Sequence, residues 1–255
     1  MHYRQVKIFI LSWLLACASL GARADELSLR VVTENFPPYN YQTDKGELAG
    51  VMNHIVQELL KRLESKQNIE VLPWARAYKI ALTEPNTLIY SILKTPPREE
   101  KFHWLLSFLS LDINMYALPR AHRGQISQFR EVQQQSIGIM RSSSHENYIR
   151  QHFTPHNNKI ITNISYLHLY QMHQRQRLDL LVAPRRLIDY LNQSEQTPPE
   201  TRPKAIFKLP FPYQKKLYIA LSKNSPAATV TRVKKALISM RDDGTIARLL
   251  ARYQI

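Results

Sequence analysis

Two adjacent prolines, Pro96 and Pro97, stand between two apolar runs at 86–92 and 105–115. The first run is of strand type. Proline fixes φ and cannot donate to a ladder, so the chain must leave any sheet at this point. Pro97 suits the first turn of a helix, where a missing N–H costs little. Arg98 then projects from the start of a short helix. Its planar, permanently charged fork suits a carboxylate or a phosphate. A surface pairing with Glu99 or Glu100 is the plainer alternative, since exposed ion pairs are common and weak.

The rest of the chain has room for a large site. Its 255 residues are enough for one large domain or two lobes of ordinary size. The lone cysteine, Cys17, excludes an intramolecular disulfide. Residues 1–24 read as an export signal. Arg4 and Lys7 form a charged start, 8–20 is apolar and short, and Ala22-Arg23-Ala24 offers small residues for cleavage. An anchor helix is disfavoured by the length of the apolar run. Leu14-Leu15-Ala16-Cys17 is an imperfect lipoprotein box, which makes lipid anchoring through Cys17 the minority alternative. The formal charge is +15, and losing Arg4, Lys7 and Arg23 leaves +12. That balance favours anionic partners. The basic residues are scattered, without an arginine-rich helix, zinc spacing or aromatic RNA motif, so nucleic acid is not expected.

Strand-type patterning opens at 28–33, followed by a loop, Glu34-Asn35-Phe36-Pro37-Pro38-Tyr39-Asn40-Tyr41, stiffened by two prolines. From 51 to 63 the apolar positions share one helical face. A second strand is expected at 69–72, and Pro73-Trp74-Ala75-Arg76 opens a further helix. Ser136-Ile137-Gly138-Ile139-Met140 reads as a strand. Ser142-Ser143-Ser144-His145-Glu146 then starts a helix in which Ser143 and Glu146 fit a capping box. A helix N-terminus is also an anion site. Strands at 160–165, 178–183, 206–209 and 217–221 and closing helices at 230–240 and 244–253 complete the α/β pattern.

Thr95-Pro96-Pro97-Arg98, just past a strand, resembles the Thr-Pro-x-Arg of extracytoplasmic solute-binding proteins of family 3. These are the amino-acid-type periplasmic binding proteins of ABC importers. Ser142-Ser143-Ser144 and the turn Asp242-Asp243-Gly244-Thr245 are similar to two further motifs of that family. The resemblance covers 25–255. It implies a type II periplasmic binding fold: two lobes, each a mixed sheet flanked by helices, closing on a hinge over the ligand. The implied division is a signal at 1–24, one lobe from 25–118 and 213–255, and the other from 119–212.

The resemblance also implies a site. Arg98 would grip a carboxylate, with Ser143 and Ser144 opposite and Ser91 at the end of the preceding strand. Tyr39 would stack on the ligand or pack in the core, and Glu34 would accept a hydrogen bond. Trp74 would wall the pocket or join the core. Arg76 would supply a second cation or lie on the surface. The family's ammonium-binding aspartate falls on Pro184, which puts a standard α-amino acid in doubt. The expected function is capture of a small, carboxylate-bearing solute for ABC import, by a periplasmic monomer without metal or cofactor. Its partner would be a transporter membrane component. Sensing for a signalling receptor and an enzyme on the same fold are the alternatives.

Overall fold

The computed structural model describes residues 27–121 and 124–254. The export-signal reading and Cys17 lie outside the described residues. In chain order the strands are β1 (Arg30–Thr33), β2 (Tyr41–Gln42), β3 (Leu48–Ala49), β4 (Ile69–Val71), β5 (Thr87–Leu93) and β6 (Phe102–Ser110). They continue with β7 (Ile113–Ala117), β8 (Ser136–Met140), β9 (Lys159–Asn163), β10 (Leu180–Pro184), β11 (Lys204–Lys208) and β12 (Lys216–Ser222). The helices that matter below are α1 (Val51–Arg62), α2 (Trp74–Thr83), α3 (Glu146–Phe153), α4 (Tyr166–Gln174), α5 (Arg185–Ser194), α6 (Ala227–Asp242) and α7 (Thr245–Arg252).

β2 and β3 pair as a separate antiparallel ribbon, and the other ten strands form two five-stranded sheets of one pattern. The first has the order β4-β1-β5-β12-β6 and the second β9-β8-β10-β7-β11. In each, three parallel strands are followed by an antiparallel fourth and then by a fifth that runs antiparallel to the fourth. Strands covered on both faces carry unbroken apolar runs. β5, at the centre of the first sheet, is buried at all seven positions.

Helix α1 buries Val51, Met52, Ile55, Val56, Leu59 and Leu60, a spacing that keeps them on one face of a helix. It begins at Gly50, whose φ of 95° is open to glycine and strained for other residues. A Cβ there would lie 2.4 Å from the carbonyl oxygen of Tyr39. At its other end Arg62 donates to Ser239 (2.9 Å), to Thr245 (3.0 Å) and to the Asp243 carboxylate. The Asp243 carboxylate also accepts from the Thr245 N–H at 2.9 Å. Gly244 turns in the left-handed region between α6 and α7. The Asp-Gly-Thr turn therefore docks the closing helices on α1.

The chain passes between the sheets twice. One passage is at Leu111 and Asp112, between β6 and β7. The other lies between β11 and β12. The Leu111 N–H donates to Lys215 O at 2.7 Å and ties the two passages together. This corrects the expected first passage at 118/119. β7 pairs with β10, with Met115 opposite Val182, so 113–117 already belongs to the second lobe. The apolar run at 105–115 hides the junction because β6 and β7 each bury side chains in their own sheet.

Candidate functional site: a buried arginine between the lobes

Pro96–Lys101 forms a short 3-10 helix after β5, and it carries Arg98 inward to 7% exposure. The guanidinium carbon lies 4.8 Å from the ring centroid of Tyr78 and 5.2 Å from that of Trp74. Both distances are in the cation–π range. Its two terminal nitrogens donate to the carbonyls of Leu93 (3.4 Å) and Ser142 (3.3 Å). Both contacts are long for an N–H···O bond, so the fork keeps donor capacity. The surface alternative is not what forms, because Glu99 pairs with Lys94 at 2.7 Å. Burial pulls the Arg98 pKa down, while Tyr78 and Tyr213 favour the charge.

Ser142 belongs to the other lobe, and its carbonyl also accepts from the Trp74 indole N–H at 2.8 Å. Trp74 is the first residue of α2. Ser142 has a φ of 58°, and its N–H donates to the Glu146 carboxylate at 2.6 Å. The backbone of one second-lobe residue is thus held at its N–H by Glu146 and at its carbonyl by two donors of the first lobe. This overturns the expected capping box. Helix α3 begins at His145 with no side-chain cap, and the Glu146 carboxylate that would complete the box is committed to the Ser142 N–H.

Around Arg98 is a cavity of about 40 Å³, bounded by Glu34, Trp74, Ser91, Ser143, Ser144, His145, Tyr166 and Pro184 among others. Ser91 enters it from β5 with a φ of 59°, next to a register shift in the pairing with β12. The Ser91 hydroxyl donates to the side-chain carbonyl of Asn40. The Asn40 amide in turn donates to Thr33 (2.9 Å) and to Glu34 O (2.8 Å), which fixes the loop that carries Glu34. Burial pushes the Glu34 carboxyl up to about 8, against the pull of Arg98. The Ser143 hydroxyl and both ring nitrogens of His145 are buried without a hydrogen-bond partner. Burial, and then the charge of Arg98, push His145 down to about 3, so its ring is neutral. On the second passage between lobes, the Tyr213 hydroxyl donates to Ser144 O at 3.1 Å.

Glu34, Trp74 and Tyr166 also bound a larger chamber of about 600 Å³ toward the rim of the lobes. Tyr41, Tyr190 and the exposed Ile164 and Leu167 stand around it. The gap between the lobes therefore has a small inner compartment around Arg98 and a wider outer one, both with mixed polar and apolar walls.

Six of the eight expected residues meet at the inner cavity: Arg98, Ser143, Ser144, Trp74, Glu34 and Ser91. Two do not. Tyr39 is buried in the core, with its ring 5.1 Å from that of Phe36, and it borders a separate pocket with Asp112, Arg185 and Arg186. Arg76 is exposed, because it lies two residues beyond Trp74 on α2 and so points away from the cleft. The sequence reading gave no role to His145, Tyr166 or Tyr78. Only the helix start at Ser142-Ser143-Ser144-His145 gave a hint of the first.

Two lobes of one architecture, joined twice and closed over a buried arginine, have the fold of a two-lobed periplasmic binding protein. The model of the bacterial extracellular solute-binding proteins, family 3, matches residues 29–254, and the chain belongs to that family. Solved structures agree on the fold. An ancestral arginine-binding protein bound to arginine superposes with a TM-score of 0.76 at 16% identity, covering 88% of this chain and 96% of that one. The amino acid ABC transporter substrate-binding protein AbpA from Streptococcus pneumoniae, bound to L-arginine, gives 0.73 at 13% identity, covering 88% and 93%. A histidine kinase sensor domain with similarity to periplasmic binding proteins gives 0.75 at 12% identity, covering 89% and 96%. No curated protein matches the chain.

Proposed function

We propose that this protein captures a small, carboxylate-bearing, amino-acid-like solute between its lobes in the periplasm and delivers it to an ABC importer. The observation that carries the reading is Arg98, a buried cation in the cleft with spare donors and, among the described residues, no carboxylate bonded to it. A bidentate carboxylate is the partner such a fork accepts best. Two of the structural neighbours are bound to arginine, which supports an amino-acid-like ligand. Residues 1–24 act as the export signal, and the mature chain works as a monomer that binds without chemistry.

A thermal-shift screen of amino acids, organic acids and amines tests the reading, followed by calorimetry on any hit. A ligand at 100 times its dissociation constant stabilises by about 2.7 kcal/mol. Carboxylates should raise the melting temperature and simple amines should not. A screen in which only ligands without an anionic group bind would sink the proposal. A second reading, ligand sensing for a signalling receptor, is favoured by the likeness to the histidine kinase sensor domain. Uptake of labelled ligand by cells with and without the gene separates the two, since only transport requires it to fall.

A further inference from the structure

The carboxylate reading leaves His145 without a role. Among the described residues, seven buried side-chain atoms lack a hydrogen-bond partner, and three of them, Ser143 Oγ and both His145 ring nitrogens, belong to residues that line the Arg98 cavity. Buried polar groups in folded proteins are almost always paired, so three unpaired atoms in one small cavity mark a place built for something polar. His145 is 3% exposed and packs beside Phe211 at 5.8 Å between ring centroids, so it cannot turn to solvent for a partner.

We propose, resting on the reading of Arg98 as the carboxylate grip, that His145 and Ser143 read a second, uncharged oxygen function on the ligand, so that the solute is a 2-hydroxy or 2-oxo carboxylate. A neutral imidazole always offers one N–H donor and one acceptor nitrogen. Burial and the nearby guanidinium hold the ring neutral, and the serine hydroxyl can both give and accept. Together they match a hydroxyl in either role and a ketone through a donor. An ammonium is a poorer match. It would stand beside Arg98, with Pro184 on the cavity wall supplying neither charge nor donor. Glu34, the carboxyl that borders the cavity, is one that burial keeps protonated near neutral pH. An unpaired positive charge in such a place is unfavourable. The inner cavity, about 40 Å³, takes the carboxylate end only as the lobes part and reclose. The 600 Å³ chamber beyond Trp74 and Tyr166 has room for a side chain of variable length.

Two matched sets of acids test this by calorimetry on the mature chain. One is propionate, L-lactate, pyruvate and L-alanine. The other is 3-phenylpropionate, 3-phenyllactate, phenylpyruvate and phenylalanine. In at least one set the hydroxy or oxo acid should bind roughly tenfold or more tighter than both the parent acid and the amino acid, a factor that corresponds to ~1.4 kcal/mol. His145→Phe should bring that acid down to the level of its parent, and His145→Gln, whose amide both donates and accepts, should restore part of the preference. Equal preference in wild type and both variants overturns the role of His145, as does an amino acid that binds tighter than its hydroxy and oxo counterparts. Arg98→Ala separates this from the underlying reading. If that variant binds carboxylates as well as wild type does, or if wild type binds none of the eight acids, the carboxylate grip itself has failed.

Discussion

The indole N–H of Trp74 and the carbonyl of Ser142 are 2.8 Å apart, and the two residues stand in different lobes. The bond spans the cleft at its inner end, beside the guanidinium of Arg98, which reaches the same oxygen. At this point the lobes are joined by first-lobe side chains and second-lobe backbone, while the ring contacts Phe36–Tyr166 (5.9 Å) and Tyr41–Tyr190 (5.3 Å) join them through side chains of both lobes.

Removing the indole donor should loosen the closed form. Trp74→Phe keeps a ring against Arg98 but leaves the Ser142 carbonyl with one donor fewer. A hydrogen bond of this type contributes about 0.5–1.5 kcal/mol net. Small-angle scattering of the ligand-free variant should show a larger radius of gyration than wild type. Superimposable curves would mean that the contact does not bias closure.

Arg98→Ala should remove carboxylate binding and keep the fold. Truncating one side of a buried charge pair costs roughly 2–5 kcal/mol of affinity. Calorimetry reads the loss and circular dichroism checks the fold. Affinity that survives the change would put the carboxylate grip elsewhere in the cleft.

The two titratable groups beside Arg98 should tilt stability in opposite directions, over pH ranges that overlap between 4.5 and 6.5. Glu34 rises from an ordinary 4.5 to about 8 through burial. Between those values the unfolded chain has released the proton and the folded chain keeps it, so stability falls as pH rises. His145 drops from 6.5 to about 3, again through burial. Below 6.5 the unfolded chain takes a proton that the fold refuses, so stability falls as pH falls toward 3. Melting temperatures followed across pH 4 to 9 should fall less steeply on the alkaline side for Glu34→Gln and on the acid side for His145→Gln. Variant curves that run parallel to wild type would show that neither group is coupled to folding.

Gly50→Ala tests the backbone rather than the site. The substitution places a Cβ in a region of φ and ψ open almost only to glycine, at a cost of about 1–3 kcal/mol. It also drives that carbon against Tyr39 O, so the loss should lie at or above the upper end. Urea unfolding gives the number. A loss below 0.5 kcal/mol, of the size of an ordinary surface change, would mean that the 38–50 segment relaxes freely.

Much of this was legible in the amino-acid sequence, and the misses have physical causes. Prolines announce themselves, so the exit of the chain from the sheet at Pro96 could be read directly. The inward placement of Arg98 came from the family resemblance, because the residues alone also allowed a surface pairing. The Asp-Gly-Thr turn was legible through its likeness to a family motif, and the structure adds the left-handed Gly244 that makes it. The first passage between lobes was not legible, because Leu111 and Asp112 separate a half-buried strand from a fully buried one without a proline or glycine. Tyr39 and Arg76 show the limit of placing side chains by neighbourhood. Tyr39 lies a few residues from Glu34 in the chain, yet its ring turns into the core. Arg76 follows Trp74 by two positions, which on a helix means the opposite side. His145 could not have been found by spacing. Its significance lies in what its ring lacks, and partners in three dimensions leave no trace in a single sequence.

Ser142 contributes to closure through its backbone carbonyl. The left-handed turn aims the carbonyl, Glu146 steadies the N–H, and Trp74 and Arg98 supply the donors. A latch made of main chain is present whichever side chain occupies the position, provided that the turn is kept. The lining residues Ser143, His145 and Pro184 are therefore free to change with the solute while the shutting of the lobes stays the same. Arg98 and Trp74 belong to both the latch and the cavity wall, whereas Ser143, His145 and Pro184 line the cavity without donating to that latch, so the wall can be altered at those three positions with both donors kept.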